Sequence, residues 1–183
     1  RMTIQINQPD DQSMATVQEH FADEDNVRQT LTAMREAEPT IAFSRLWRFA
    51  SGEVTHDADL LTALRHDSKL AADVNALLQK ISWSHLPQAA AASTDEDLRL
   101  RETDLCAIRI ESSRAEPDQV YVIIELKDAE ANAPRTLITS AAGGTLERLE
   151  LPAAQGGVIQ VLLQHDDAVL IALRDHGTEV FLR

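Results

Sequence analysis

Between Ile41 and Ile81 apolar residues return every three or four positions, the period of a helix with one buried face. Ile41, Phe43, Leu46, Trp47, Phe49 and Ala50 mark a first helix, with Pro39 before it and Thr40 placed to cap it. Gly52 is placed to end it, because helices often close in a left-handed residue that glycine adopts cheaply. Thr55 can cap a second helix, with Asp57 and Asp59 near its positive end and Leu60, Leu61 and Leu64 as its stripe. Asp67 and Ser68 restart the pattern. Leu70, Val74, Leu77 and Ile81 form the apolar face of a third helix, with Lys69 and Asp73 on its polar side. Upstream, residues 1–12 read as a polar lead-in. From Ser13 the pattern is helical: Thr16 and Glu19 have capping-box spacing, and Val17, Phe21, Val27, Leu31 and Met34 supply apolar positions.

After about Leu98 the pattern changes to alternation. Cys106, Ile108 and Ile110 form one strand face, and Val120, Val122, Ile124 and Leu126 another. Leu137 with Thr139, Leu149 with Leu151, and Ile159 with Val161 and Leu163 follow, separated by turns at Gly143-Gly144 and Gly156-Gly157. Val169, Ile171 and Leu173 read as a further strand, and Gly177 leads into Val180 and Leu182. About seven short strands at this spacing predict an antiparallel Ig-like β-sandwich. The expected fold class is α+β, an N-terminal helical bundle followed by a C-terminal sandwich. The expected divisions are a lead-in over 1–12, a helical domain over 13–83, a linker over 84–98 and a β-domain over 99–183. Pro87, the alanines and the acidic Asp95, Glu96 and Asp97 give the linker its character.

Charge narrows the function. The 183 residues hold 17 Lys+Arg against 30 Asp+Glu, a net charge of -13, and the basic residues form no run. Direct binding to nucleic acid or to an anionic membrane surface is disfavoured, since both need a positive field. An acidic chain suits a basic protein partner. The single cysteine, Cys106, excludes an internal disulfide and a multi-cysteine zinc site, and fits a reducing compartment. No apolar run approaches the ~20 residues of a membrane span, and the N-terminus lacks a signal-peptide core, so a cytoplasmic location is expected.

Catalytic signatures do not emerge. His56-Asp57 and His66-Asp67 are adjacent pairs that do not share a helix face, and His165 and His176 read as solvated turn residues. Cys106 shares a face with Ile108 and Ile110 and reads as a buried side chain, not a nucleophile. No phosphate loop, dinucleotide fingerprint or nucleophile elbow is present. The chain is expected to be no enzyme and to carry no metal or cofactor.

The stretch Leu46–Ile81 resembles the N-terminal domain of anti-sigma factors, in the variant without zinc. Leu46-Trp47-Arg48-Phe49-Ala50 stands for that family's apolar helix, and Ser51-Gly52-Glu53-Val54-Thr55 for its turn. Leu60, Leu61 and Leu64 follow on the second helix, and Asp67-Ser68-Lys69-Leu70 opens the third. Zinc-bearing members hold the metal with one His and two Cys; here those positions are Ala63, Asp67 and Leu70, which cannot form that site. The resemblance implies a protein that sequesters a sigma factor, with the β-domain as sensor or second protein-binding module. It implies contacts through Leu46, Trp47, Phe49, Glu53, Leu60, Leu61, Leu64, Leu70, Val74 and Leu77, with Trp47 and Phe49 as the aromatic anchors. The alternative is an adaptor that homodimerises through its helices.

Overall fold

Leu46, Phe49 and Ala50 are buried along one side of the first helix, α1 (Phe43–Ala50). The computed structural model describes residues 41–89, 98–128 and 132–183. The expected lead-in, the helical stretch from Ser13 to Met34, the Thr40 cap and most of the expected linker lie outside the described residues. The N-cap position of α1 is Ala42, which provides no side-chain cap. The helix closes as the pattern predicts: Gly52 adopts a φ of 78° and its N–H donates to the Phe49 carbonyl at 3.1 Å.

Two aspartates set the next two helices. Asp57, not Thr55, is the N-cap of α2 (Ala58–His66), accepting from the Leu60 N–H at 3.0 Å. Asp67 ends α2 and begins α3 (Ser68–Ile81), its carboxylate accepting from the Lys69 and Leu70 N–H groups at 2.9 and 3.0 Å. One extended residue therefore turns the chain, and the stripes of both helices stay on one side: Leu60 and Leu64, then Val74, Leu77 and Leu78.

Among the described residues eight strands form two antiparallel sheets of four. The first sheet has the order β1 (Ser84–Leu86), β8 (Glu179–Leu182), β5 (Thr136–Ala141), β6 (Thr145–Glu150). The second has the order β2 (Leu100–Glu102), β3 (Cys106–Ser112), β4 (Gln119–Leu126), β7 (Val158–Gln164). A fourth helix, α4 (Ala168–Arg174), joins β7 to β8. The registers place Ser84 and Leu86 beside Leu182 and Val180, with Leu137 beside Leu182. These side chains share a core with Cys106, Ile108, Ile110, Val120, Val122, Ile124, Ile159 and Leu163 of the second sheet.

Period-two alternation then sends Ile138 and Phe181 to the opposite face of the first sheet, where both are still buried. The three N-terminal helices cover that face. Ser140 donates to Asn75 of α3 at 2.8 Å, Arg148 donates to the Phe49 carbonyl at 3.3 Å, and Gln79 donates to Glu179 at 3.4 Å. The first sheet is thus the middle of three layers, and Thr136 through Ser140 of β5 are buried at every position. Ala42–Arg183 form a single unit by their contacts.

The expected fold class requires correction. Among the described residues there is no N-terminal helical bundle closed on its own core. Of the four helices among the described residues, α1, α2 and α3 precede every strand and pack on one another and on the first sheet, and α4 lies between β7 and β8. The sheets have eight strands in two sets of four, and helices cover one outer face, so the seven-stranded Ig-like sandwich is also corrected. The segment 84–86, expected as linker, is β1 and pairs with β8.

Val169, Ile171 and Leu173, expected as a strand, lie in α4. The run Ala168–Leu173 is apolar throughout, so it satisfies either period. Two polar groups decide for the helix. Asp167 caps its start, accepting from the Val169 N–H at 2.8 Å. Arg101, buried on the inner face of β2, closes its end by donating to the carbonyls of Leu173, Asp175 and Thr178 at 3.0, 2.5 and 2.9 Å. Val169, Leu170 and Leu173 enter the sandwich core, and Ile171 faces outward.

Candidate protein-binding surface

The helix α1 has two apolar faces. Leu46, Phe49 and Ala50 take one inward; Phe43 and Trp47, one turn apart, take the other outward with 66% and 42% of their surface exposed. Such a pair is the kind of feature that anchors a partner, since aromatic side chains supply much area with few rotors to freeze. Ser44, Arg45 and Arg48 are the other exposed residues of the same helix.

The charges around α1 are largely matched. Arg45 makes a fork to Asp57, Nε and Nη2 lying 2.7 and 2.6 Å from its two carboxylate oxygens, and a looser contact to Asp59 at 3.7 Å. The hydrogen bond from Arg45 holds the Asp57 carboxyl below its ordinary value, against the opposing effect of partial burial; the same bond raises the Arg45 guanidinium. Arg48 pairs with Glu53 at 3.5 Å. At the far end of α1, Arg148 lies 5.8 Å over the Phe49 ring, and Arg183 donates to the Ala50 carbonyl. Burial lowers the Arg148 guanidinium, with Arg183 adding to the effect. These two cations sit where the helix dipole is negative.

The ten residues assigned to partner contact by sequence divide sharply. Leu46, Phe49, Leu60, Leu64, Val74 and Leu77 are buried, and Leu61 and Leu70 are half-buried. Trp47 and Glu53 alone are exposed. The structure brings Trp47 beside Phe43, which sequence reasoning had placed only in the helical stripe. The signal was there: Phe43 and Trp47 are four apart and out of phase with Leu46 and Phe49.

The other chemistry-bearing side chains stay scattered. Cys106 is buried, with its Sγ 3.6 Å from the hydroxyls of Ser84 and Thr103. His165 Nε2 lies 3.2 Å from the Arg174 guanidinium. His85 stacks on Phe181 with ring centroids 4.8 Å apart and meets Glu179 at 2.9 Å, tying β1 to β8 on the helix-covered face. Among the described residues no three His, Cys, Asp or Glu side chains gather where a metal ion could be held, and no helix is long and apolar enough to cross a membrane. Comparison with protein-family models, with curated proteins and with solved structures finds no match to this chain.

Proposed function

We propose that this chain is a regulatory protein-binding module of the cytoplasm whose partner docks on the Phe43–Trp47 step of α1. The single observation that supports this is the exposure of two aromatic side chains one turn apart on a helix whose other face is fully used. The partner class follows from the resemblance of Leu46–Ile81 to zinc-less anti-sigma domains: a sigma factor. The acidic surplus of -13 would steer such a partner through its basic surface. The mode differs from a clasp made by all three helices, because Leu60, Leu64, Val74 and Leu77 are already buried within the chain. The sandwich then acts as the platform that fixes α1, with its outer face free for a second protein.

The test is recovery of bound proteins from a lysate of the source cells, identified by mass, with the full chain and with its F43A/W47A variant. A sigma factor recovered in near-equal amount, and lost with the variant while the circular dichroism spectrum is kept, supports the proposal. Recovery of a sigma factor that ignores the substitution would remove the α1 surface. Recovery of no sigma factor would remove the partner class.

A further inference from the structure

We propose that a second copy of this chain pairs with the free edge of β7, antiparallel, joining two second sheets into one continuous sheet. Among the described residues the two sheets have four edge strands, β1, β6, β2 and β7. Natural sheets blunt their edges with short strands or with charge, because an open row of N–H and C=O groups templates another strand. Three edges here are blunted. β1 and β2 have three residues each. β6 carries Glu147, Arg148 and Glu150 among its six. β7 has seven residues, Val-Ile-Gln-Val-Leu-Leu-Gln, and no charge at all. Val158 and Leu162 lie on its outer face with 37% and 43% of their surface exposed.

The hydrogen bonds show which groups are open. The Leu126 N–H donates to the Gly157 carbonyl and the His165 N–H to the Asp118 carbonyl, both at 2.8 Å. With the β4–β7 register, this parity turns Ile159, Val161 and Leu163 toward β4, and the N–H and C=O of Gln160 and Leu162 away from it. At each end of the open row the outward carbonyl is taken within the chain. Gln155 and Val158 exchange hydrogen bonds at 2.8 and 3.1 Å, and the Gln164 carbonyl accepts from the Asp167 N–H at 3.1 Å. The window left open is centred on Val161.

A window with that symmetry fits a copy of itself. A twofold axis beside Val161 sets Gln160 opposite Leu162 of the second copy, and Leu162 opposite its Gln160, so the N–H and C=O groups of both residues pair. The same register sets the acidic turn residue Asp166 opposite Gly156 of the second copy, not opposite another acid. For a chain of net charge -13, a self-contact has to avoid facing carboxylates, and the seven uncharged residues of β7 do so.

The test is the mass of the full chain in solution by sedimentation equilibrium over rising concentration. The mass is expected to climb from 20.2 kDa toward twice that value. Gln160→Pro removes an outward N–H without breaking a bond to β4, and Leu162→Lys sets matching charges near the axis. Each is expected to raise the dimer dissociation constant at least about tenfold while leaving the far-ultraviolet spectrum unchanged. Amide exchange at Gln160 and Leu162 should slow as concentration rises. Should Gln160→Pro unfold, Leu162→Lys and the exchange of the wild-type chain decide the question. A chain that stays monomeric at every concentration overturns the proposal. So does a dimer that survives both substitutions, a dimer lost with Trp47→Ala instead, or a monomer that takes up only a foreign extended peptide at β7.

Discussion

A Cβ placed on Gly144 would stand 1.9 Å from the backbone carbonyl oxygen of Leu64. The β5–β6 turn therefore presses its bare backbone against the last turns of α2. Gly144 also holds a φ of 77°, where a side chain is strained whatever the space. Gly144→Ala combines that strain with overpacking against backbone that cannot rotate aside, a loss of about 2–5 kcal/mol. Gly143→Ala is the control: its φ is 87°, but nothing lies within 4 Å of its added Cβ. It is expected to lose only about 1–2 kcal/mol. Urea midpoints of the two variants measure the difference, and equal losses would mean that the turn does not seat on α2.

Arg101 is expected to be the costliest polar residue to replace. Its guanidinium satisfies three carbonyls at the close of α4, and burial lowers its pKa while Asp175 opposes the shift. Arg101→Met keeps the bulk but strands those acceptors, a loss of about 2–4 kcal/mol. Arg101→Lys keeps the charge and loses the fork, and should recover less than half of that. Both follow from thermal or urea unfolding. A near-neutral Arg101→Met would show that water replaces the guanidinium.

The Arg45–Asp57 pair predicts an acid-dependent part of stability. The Asp57 carboxyl titrates below its ordinary 3.8, chiefly because of the hydrogen bond from Arg45. A depressed carboxylate contributes its stability in full above the ordinary value and loses it as pH falls through the lowered one. Asp57→Asn retains a side chain able to cap α2 but removes the charge. Wild type should exceed the variant in urea midpoint at about pH 7, and the two should converge toward about pH 2. A gap independent of pH would mean that Asp57 acts only as a cap.

Leu60 and Trp47 should respond in opposite ways. Leu60 is fully buried beneath α2, so Leu60→Ala is expected to lose about 2–5 kcal/mol. Trp47→Ala should change stability by under about 1 kcal/mol and instead reduce partner recovery. A large loss of stability with Trp47→Ala would place its ring in the chain's own packing and remove it from the proposed surface.

The helical stripe of Leu60, Leu64, Val74 and Leu77 was legible from spacing, because a helix puts residues three and four apart on one side. What the stripe faces was not legible, since periodicity states that a face is buried and leaves its partner open. One sign did exist. Val180-Phe181-Leu182 is apolar at successive positions, which in a strand means that both faces are covered. Period two selects Val180 and Leu182 and passes over Phe181, the side chain that reaches toward the helices. Across Val169–Leu173 the same ambiguity ran the other way, and the deciding caps come from Asp167 nearby and from Arg101, distant in sequence. On α1 spacing separates Phe43 and Trp47 from Leu46 and Phe49, but it leaves open which of the two pairs faces inward.

The place of β8 between β1 and β5 bears on how the molecule is made. Synthesis delivers α1, α2 and α3 first and β8 after every other element described. The helices rest on a floor that includes Phe181, and β1 has β8 as its strand partner, so neither can settle until that strand has left the ribosome. Until then a nascent chain displays three apolar helical stripes and an unpaired β1. That is the condition in which chains aggregate or recruit chaperones. The arrival of β8 in the first sheet thus sets the moment at which these apolar faces are covered.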